Sequence, residues 1–217
     1  MSQALKILER VGAILRNDHF VYTNWLHGSE YVLKDALLPH VEDTSKICSY
    51  IASHFTRNYR FLGDEQKIQV VAAPAVGAVA LGSWVAYWLS MYSGKKTLFV
   101  YADKTPDGSF IFKRGYGKYL YGKNVLVVED VLTTGGSAKK VVEAVKLASG
   151  TVLGVGALCN RGDITAKDVG DVPELHSLTE IRMQAWLGTD CPLCKKGVPV
   201  NEEIGHGSEF VKRRAAA

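Results

Sequence analysis

Residues 125–137 read Val-Leu-Val-Val-Glu-Asp-Val-Leu-Thr-Thr-Gly-Gly-Ser. The four leading apolar residues predict a strand buried on both faces, with two acids, Glu129 and Asp130, at its carboxyl end. A loop of small residues then runs straight into a predicted helix. Such a loop aims successive backbone N–H groups at one anion, helped by the partial positive charge of the helix N-terminus. The hydroxyls of Thr133, Thr134 and Ser137 add donors, and Gly135 and Gly136 carry no side chain to block close approach. A monophosphate is the natural guest. Carboxylates beside it would repel it unless they face something else, and two neighbouring sugar hydroxyls suit an adjacent acid pair. The plainer alternative is an ordinary strand–turn–helix with surface acids.

The elements that must position this loop are legible around it. Leu5, Leu8, Val11 and Leu15 share one helical face and predict a helix over 3–16. Ile47, Tyr50, Ile51 and Phe55 predict a second over about 42–55, with Asp43 or Thr44 as its cap. A turn at Gly63-Asp64-Glu65 leads to a strand over 67–72, a turn over 73–77 and a helix to about Tyr92. Further strands are expected at 97–101, 110–112, 124–129 and 151–159, with a helix over 137–148. This alternation predicts an α/β fold, a mostly parallel sheet flanked by helices, with ligands bound past the carboxyl ends of the strands.

At 217 residues, 47% hydrophobic and 22% charged, the chain is globular in composition, which excludes collagen-like and largely disordered readings. Its length suits a single domain: a hood over about 18–40, a core over 41–182 and a C-terminal appendage over 183–217. No charge occurs between Lys67 and Lys95, a window long enough for a membrane span. Pro74, Gly77, Gly82 and Ser83 interrupt it, so a central strand and then a helix buried on both sides is the better reading. The net charge of +4 is scattered, and only Lys212-Arg213-Arg214 clusters, so a nucleic-acid groove is not expected. Charges at Lys6, Glu9 and Arg10 break every N-terminal apolar run, unlike a signal peptide. A cytoplasmic protein with reduced thiols is expected.

The segment 125–137 resembles the phosphoribosyl-diphosphate motif of the type I phosphoribosyltransferases at all thirteen positions. The resemblance implies that Glu129 and Asp130 hold the ribose hydroxyls and that Thr133 to Ser137 cradle the 5′-phosphate. It also implies Mg²⁺ and a homodimer in which each lid reaches the neighbouring site. Three further segments are similar to the orotate-handling branch of that family. Ala75, Val76 and Gly77 follow a strand where the family binds pyrophosphate. Arg161, after Asn160, stands where an Asp-Arg pair presents arginine to the base carboxylate, Asn160 replacing the acid. Ser29, Tyr31 and Lys34 match the hood segment that faces base and diphosphate, with Glu30 where a proline is usual. Over residues 101–117, Lys104, Lys113 and Arg114 are the lid cations expected to stabilise the departing pyrophosphate, and Gly108, Gly115 and Gly117 its hinges. A twisted hairpin around Pro106-Asp107-Gly108-Ser109 is the alternative. No histidine lies between His54 and His176, which excludes a lid histidine. The activity implied is transfer of ribose 5-phosphate to a pyrimidine base, orotate first. The alternatives are a purine or other phosphoribosyltransferase, or a non-catalytic phosphoribosyl-diphosphate sensor.

Cys191-Pro192-Leu193-Cys194 has the spacing of half a zinc knuckle in a tail that reads as a small separate element. Structural zinc needs two more ligands, for which Cys159, His176 and His206 are the candidates. A plain reduced turn and a redox dithiol are the other readings.

Overall fold

The computed structural model describes residues 2–58 and 67–215, so the turn expected at Gly63-Asp64-Glu65 lies outside it. The N-terminal helix is shorter than its periodicity predicts. Helix α1 spans Gln3–Arg10, capped by the Ser2 hydroxyl, which accepts from the Leu5 N–H. Gly12, at φ +72°, turns the chain out of the helix. Leu15 continues the apolar spacing but lies on strand β1 (Ile14–Val21), which pairs antiparallel with β2 (His27–Val32). This hairpin forms the hood. Helix α2 (Val41–Asn58) starts ahead of the expected caps: Asp43 pairs with Arg10, and the Thr44 hydroxyl donates to Leu37 O.

Strands and helices then alternate as β3 (Val70–Pro74), α3 (Val79–Ser93), β4 (Leu98–Lys104), β5 (Phe110–Ile111), β6 (Asn124–Leu132), α4 (Gly136–Leu147), β7 (Thr151–Asn160) and β8 (Leu175–Glu180). They build one sheet in the order β5-β4-β3-β6-β7-β8, parallel except for β5. The two-residue alternation of β6 divides its apolar run between two cores. Leu126 and Val128 pack with α2 and α3, whereas Val125 and Val127 pack with α4. Helices leaving β3 and β6 therefore go to opposite faces, and the carboxyl ends of these adjacent strands form the switch point where a crevice opens.

The charge-free window is β3, wholly buried in mid-sheet, followed by α3. Burial of α3 is one-sided, against the expectation: Leu81, Val85 and Leu89 face the core, but Tyr87 and Met91 are 49% and 59% exposed. The helix belongs to the outer layer, so its far face meets solvent. Its 15 residues fall short of the roughly 20 a span needs. Among the described residues no helix is long and apolar enough to cross a membrane.

Within residues 101–117, β4 and β5 pair as a hairpin, Asp103 with Ile111 and Lys104 with Phe110. The Thr105 N–H donates to Ser109 O at 2.9 Å, the Thr105 hydroxyl bonds Asp107, and Lys140 Nζ pins Gly108 O from α4 at 2.6 Å. The tail, with α5 (Pro192–Lys195) and α6 (Gly207–Ala215), is not a separate element either. The Asn201 N–H donates to His19 O at 2.8 Å, and His27 and Trp186 exchange backbone hydrogen bonds of 2.8 and 2.9 Å. It wraps the hood.

Candidate active site

Strand β6 runs further than predicted, to Leu132, so Glu129 and Asp130 lie within it and point to opposite sides. Glu129 faces a cavity of about 280 Å³ lined by residues 133–137, Thr23, Asn24 and Arg161. Asp130 faces a gap against Lys34 and Gly77 too narrow to admit a water molecule. Both acids are nearly buried, and Glu129 Oε1 accepts from the Asp130 N–H at 3.0 Å. Burial first, and the Asp130 charge second, push the Glu129 carboxyl well above the usual carboxylate range. Lys34 Nζ donates to Asp130 Oδ2. Burial alone would depress the Lys34 ammonium, but the facing Asp130 carboxylate outweighs it and the net direction is upward.

The turn at Ala75, Val76 and Gly77 joins this constellation because of its glycine. A Cβ at Gly77 would overlap both Lys34 Nζ and the Asp130 carboxylate. Three segments distant in sequence thus meet in one spot: the hood exit at Lys34, the β3 turn and Asp130 of β6. Ala75 N–H is held by Ala102 O at 2.8 Å, and Val76 is 85% exposed at the mouth.

Beyond the acids, Gly135 at φ +72° bends the chain into α4, leaving Thr133, Thr134 and Ser137 exposed around the helix start. The loop is braced from beneath by the next strand's exit: the Arg161 N–H donates to Leu132 O at 2.8 Å, and a Cβ at Gly162 would overlap the Thr133 carbonyl. That contact fixes Arg161 at the edge of the phosphate loop.

Arg161 also faces a second cavity of about 140 Å³, lined by Tyr22, Tyr31, Lys34 and Asp35. The two cavities adjoin, sharing Thr23, Val131, Thr133 and Arg161 in their walls, between the 133–137 loop and the hood. The Arg161 guanidinium sits 4.4 Å from the Tyr22 ring centre. Tyr22 is fixed in turn: its hydroxyl donates to Glu30 O at 2.7 Å, and its ring fills the space a Cβ at Gly28 would need. Ser29 shares the strand face of Tyr31 two residues on, but lies outside both cavities. Tyr22, Thr23 and Asn24 are wall residues that sequence reasoning missed; their only signal was a polar, aromatic stretch before the hood motif.

Asn160 shows why an amide replaces the acid of the resemblance. Its Nδ2 donates to Ile164 O at 2.8 Å, and its Oδ1 accepts from the Ile164 N–H at 3.0 Å, closing the loop that carries Arg161. A carboxylate accepts but cannot donate. N160D is therefore expected to destabilise the fold by about 1–3 kcal/mol, read as a lower urea midpoint at unchanged m-value; an unaltered midpoint would contradict the clamp.

Lys104, Lys113 and Arg114 stand apart. All three are exposed on the β4–β5 hairpin and its exit, Arg114 lying 5.9 Å from the Tyr101 ring centre, and none lines the groove. The expected partners of Cys191 and Cys194 also prove wrong. Cys159 is buried within β7, His176 stacks on His54 at 3.5 Å, and His206 packs on Trp25. His19 and His27 of the hood hairpin take their place. With the two cysteines they form a group able to hold a metal, all four ligand atoms within 4.8 Å of one another.

A parallel strand delivering an acid pair, a hydroxyl-lined loop at a helix start and the turn of the adjacent strand, all beneath a hood, define the phosphoribosyltransferase class. Residues 45–187 match the phosphoribosyl transferase domain. Orotate phosphoribosyltransferase of Chlorobium phaeobacteroides is 31% identical over 197 residues, covering 91% of this chain and 92% of that protein. The enzyme of the same name from Chlorobaculum parvum is 34% identical over 200 residues, covering 92% and 93%. The chain belongs to the phosphoribosyltransferase family, among relatives named orotate phosphoribosyltransferase. In fold it is similar to the crystal structure of orotate phosphoribosyltransferase from Aeropyrum pernix, with a TM-score of 0.59 at 23% identity over 81% of this chain and 92% of that one. Adenine phosphoribosyltransferase from Thermoanaerobacter pseudethanolicus scores 0.56 at 18% identity over 80% and 99%. The shared fold thus does not choose the base.

Proposed function

We propose that this chain transfers ribose 5-phosphate from phosphoribosyl diphosphate to orotate, releasing pyrophosphate. The observation that carries it is the pair of adjoining cavities, one at the 133–137 loop and one at the hood tyrosines, with Arg161 in the wall of both. In this reading the N–H groups and hydroxyls of Thr133, Thr134, Gly135, Gly136 and Ser137 donate to the 5′-phosphate. Glu129 and Asp130 accept from the ribose hydroxyls. Asp130 does so while still accepting from Lys34, since a carboxylate has about four lone-pair sites. The turn at Ala75, Val76 and Gly77, with Lys34 beside it, receives the pyrophosphate. Arg161 meets the base carboxylate with its planar fork, against Tyr22 and Tyr31, with Ser29 supporting the hood strand. As the bond from ribose carbon to pyrophosphate breaks, the base nitrogen takes its place. Orotate reaches that point already anionic, so no strong general base is required, and catalysis rests on positioning and charge.

The buried acid pair beside the pyrophosphate turn supplies hard oxygen donors of the kind Mg²⁺ uses through its retained waters. Held there with the diphosphate, Mg²⁺ would supply positive charge opposite the leaving group. The exposed Lys104, Lys113 and Arg114 reach the diphosphate from a second copy of the chain. Their absence from their own groove and the exposed Tyr87 and Met91 of α3 support a homodimer. The buried Cys48 and Cys159 thiols, neither in a disulfide, suit a cytoplasmic protein.

The raised Glu129 carboxyl has a consequence in solution. Ionised, it is the stronger acceptor for a ribose hydroxyl, so binding of phosphoribosyl diphosphate with Mg²⁺ is expected to release a proton and to tighten as pH rises towards the elevated value. The free protein correspondingly loses stability as pH climbs from the ordinary carboxylate range through that value, because the folded state holds the proton more tightly than the unfolded. Calorimetry in buffers of different ionisation enthalpy reads the proton directly. Release that persists in E129Q would contradict the assignment. The function itself is tested by pyrophosphate release with Mg²⁺, phosphoribosyl diphosphate and each base in turn; no release with any base would contradict an enzymatic role.

A further inference from the structure

The four buried ligand atoms beside the hood have no part in the groove, and their arrangement is specific. His19, His27 and Cys191 are all 0% exposed. His19 Nδ1 lies 2.8 Å from Val198 O, and a carbonyl only accepts, so the ring proton sits on Nδ1 and the Nε2 lone pair faces inward. Around that lone pair stand Cys191 Sγ at 3.5 Å, Cys194 Sγ at 3.7 Å and His27 Nδ1 at 2.9 Å; His27 Nδ1 is itself 3.4 Å from Cys194 Sγ. A tetrahedral zinc ion with Zn–N of about 2.0–2.1 Å and Zn–S of about 2.3 Å sets N···S edges near 3.5 Å. The three N···S separations match that value. The N···N pair is tighter than the roughly 3.3 Å of the same tetrahedron. His27 turns Nδ1 to the cluster; its Nε2, on the far side of the ring, has no partner among the described residues, and the Phe210 ring lies edge-to-face against the imidazole at 4.7 Å.

We infer that His19, His27, Cys191 and Cys194 bind one Zn²⁺ as a closed structural site that fastens the C-terminal segment to the hood and thereby positions the base end of the groove. The Val198 carbonyl is the outer partner that orients a ligating histidine through its second ring nitrogen. Closure is complete with four protein ligands, leaving no open coordination position for chemistry. The site also ties together parts that the family match does not include, since all four ligands fall outside residues 45–187. Its hood ligands bracket the groove residue Tyr22 on the β1–β2 hairpin: His19 lies three residues before it and His27 five after. Beside the knuckle, Gly205 packs so closely on Tyr31 that a Cβ there would lie 3.2 Å from its ring. Loss of the ion therefore loosens the wall that receives the base while leaving residues 129–137 in place.

The metal part of this inference is independent of the reaction; the positioning part rests on the orotate reading above. Protein from zinc-supplemented growth is expected to carry about one zinc per chain by elemental analysis. The Co²⁺-substituted protein should show thiolate-to-cobalt charge transfer and the intense visible bands of a tetrahedral ion. C194S, at the one half-exposed ligand, should weaken zinc retention and dim the charge-transfer band. Less than a tenth of an equivalent of zinc, or a Co²⁺ form without thiolate bands, overturns the site. Chelation should lower Tm by at least about 5 °C and raise the KM for orotate about tenfold, with the KM for phosphoribosyl diphosphate changed less than twofold. Equal changes in both KM values, or none, overturn the positioning role even if zinc is present. A protein that binds zinc but turns over no base would leave the site standing and remove the orotate reading instead.

Discussion

D130N lowers kcat/KM for phosphoribosyl diphosphate at least about tenfold, or roughly 1.4 kcal/mol of transition-state stabilisation, in a protein that remains folded. The prediction follows from where Asp130 sits. Its carboxylate is the meeting point of Lys34 and the Gly77 turn, and in the proposed reaction its charge serves both the sugar and the leaving group. Asparagine keeps the size and one acceptor for Lys34, which limits the structural cost. It removes the charge that makes a strong acceptor for a ribose hydroxyl. Steady-state kinetics beside a thermal melt separate the two effects. Turnover within twofold of the parent protein would remove Asp130 from the ribose site. K34M provides the matching control: if Lys34 works through Asp130, the double variant is less impaired than the product of the single losses requires.

The second large effect concerns base choice. R161A is expected to lower kcat/KM for orotate about a hundredfold, the scale of a lost charge-assisted pair of hydrogen bonds, while leaving the slow use of uracil nearly unchanged. The discrimination between the two bases then collapses. R161K should fall between, because it keeps the charge but not the fork. The geometry supports this: the Arg161 backbone is anchored to Leu132 and its guanidinium is oriented on Tyr22, so the cation is presented in one place rather than waving in solvent. An unchanged orotate-to-uracil ratio in R161A would assign the carboxylate to another group.

Much of the core was legible because it obeys short-range rules. The run from Val125 to Ser137 announces a buried strand, an acid pair and a phosphate loop within thirteen residues, and the structure builds those elements in that order. The β3 turn was legible for the same reason. What escaped was set by long-range contacts or by weak local pattern. The helical spacing through Leu15 was real, but Gly12 and pairing with β2 override it. Strand β8, Leu-His-Ser-Leu-Thr-Glu, lies at a sheet edge with mostly half-buried side chains and so never shows a continuous apolar run. The partners of Cys191 and Cys194 could not be found by spacing, since His19 lies 172 residues from Cys191. Folding around the hood, not sequence proximity, brings them together. The glycines of residues 101–117 fitted a lid and a hairpin equally well, and the Thr105–Ser109 bonds with the Lys140 pin form the hairpin whose arm and exit carry Lys104, Lys113 and Arg114.

The most direct measurement is a competition in one vessel: the protein, Mg²⁺, phosphoribosyl diphosphate and equal amounts of orotate, uracil, adenine and guanine, with the nucleotides identified by mass spectrometry and pyrophosphate quantified. A groove running from the phosphate loop to an anchored Arg161 predicts orotidine monophosphate as the dominant product, in step with pyrophosphate. A purine nucleotide or uridylate as the main product, or pyrophosphate without any nucleotide, would contradict it.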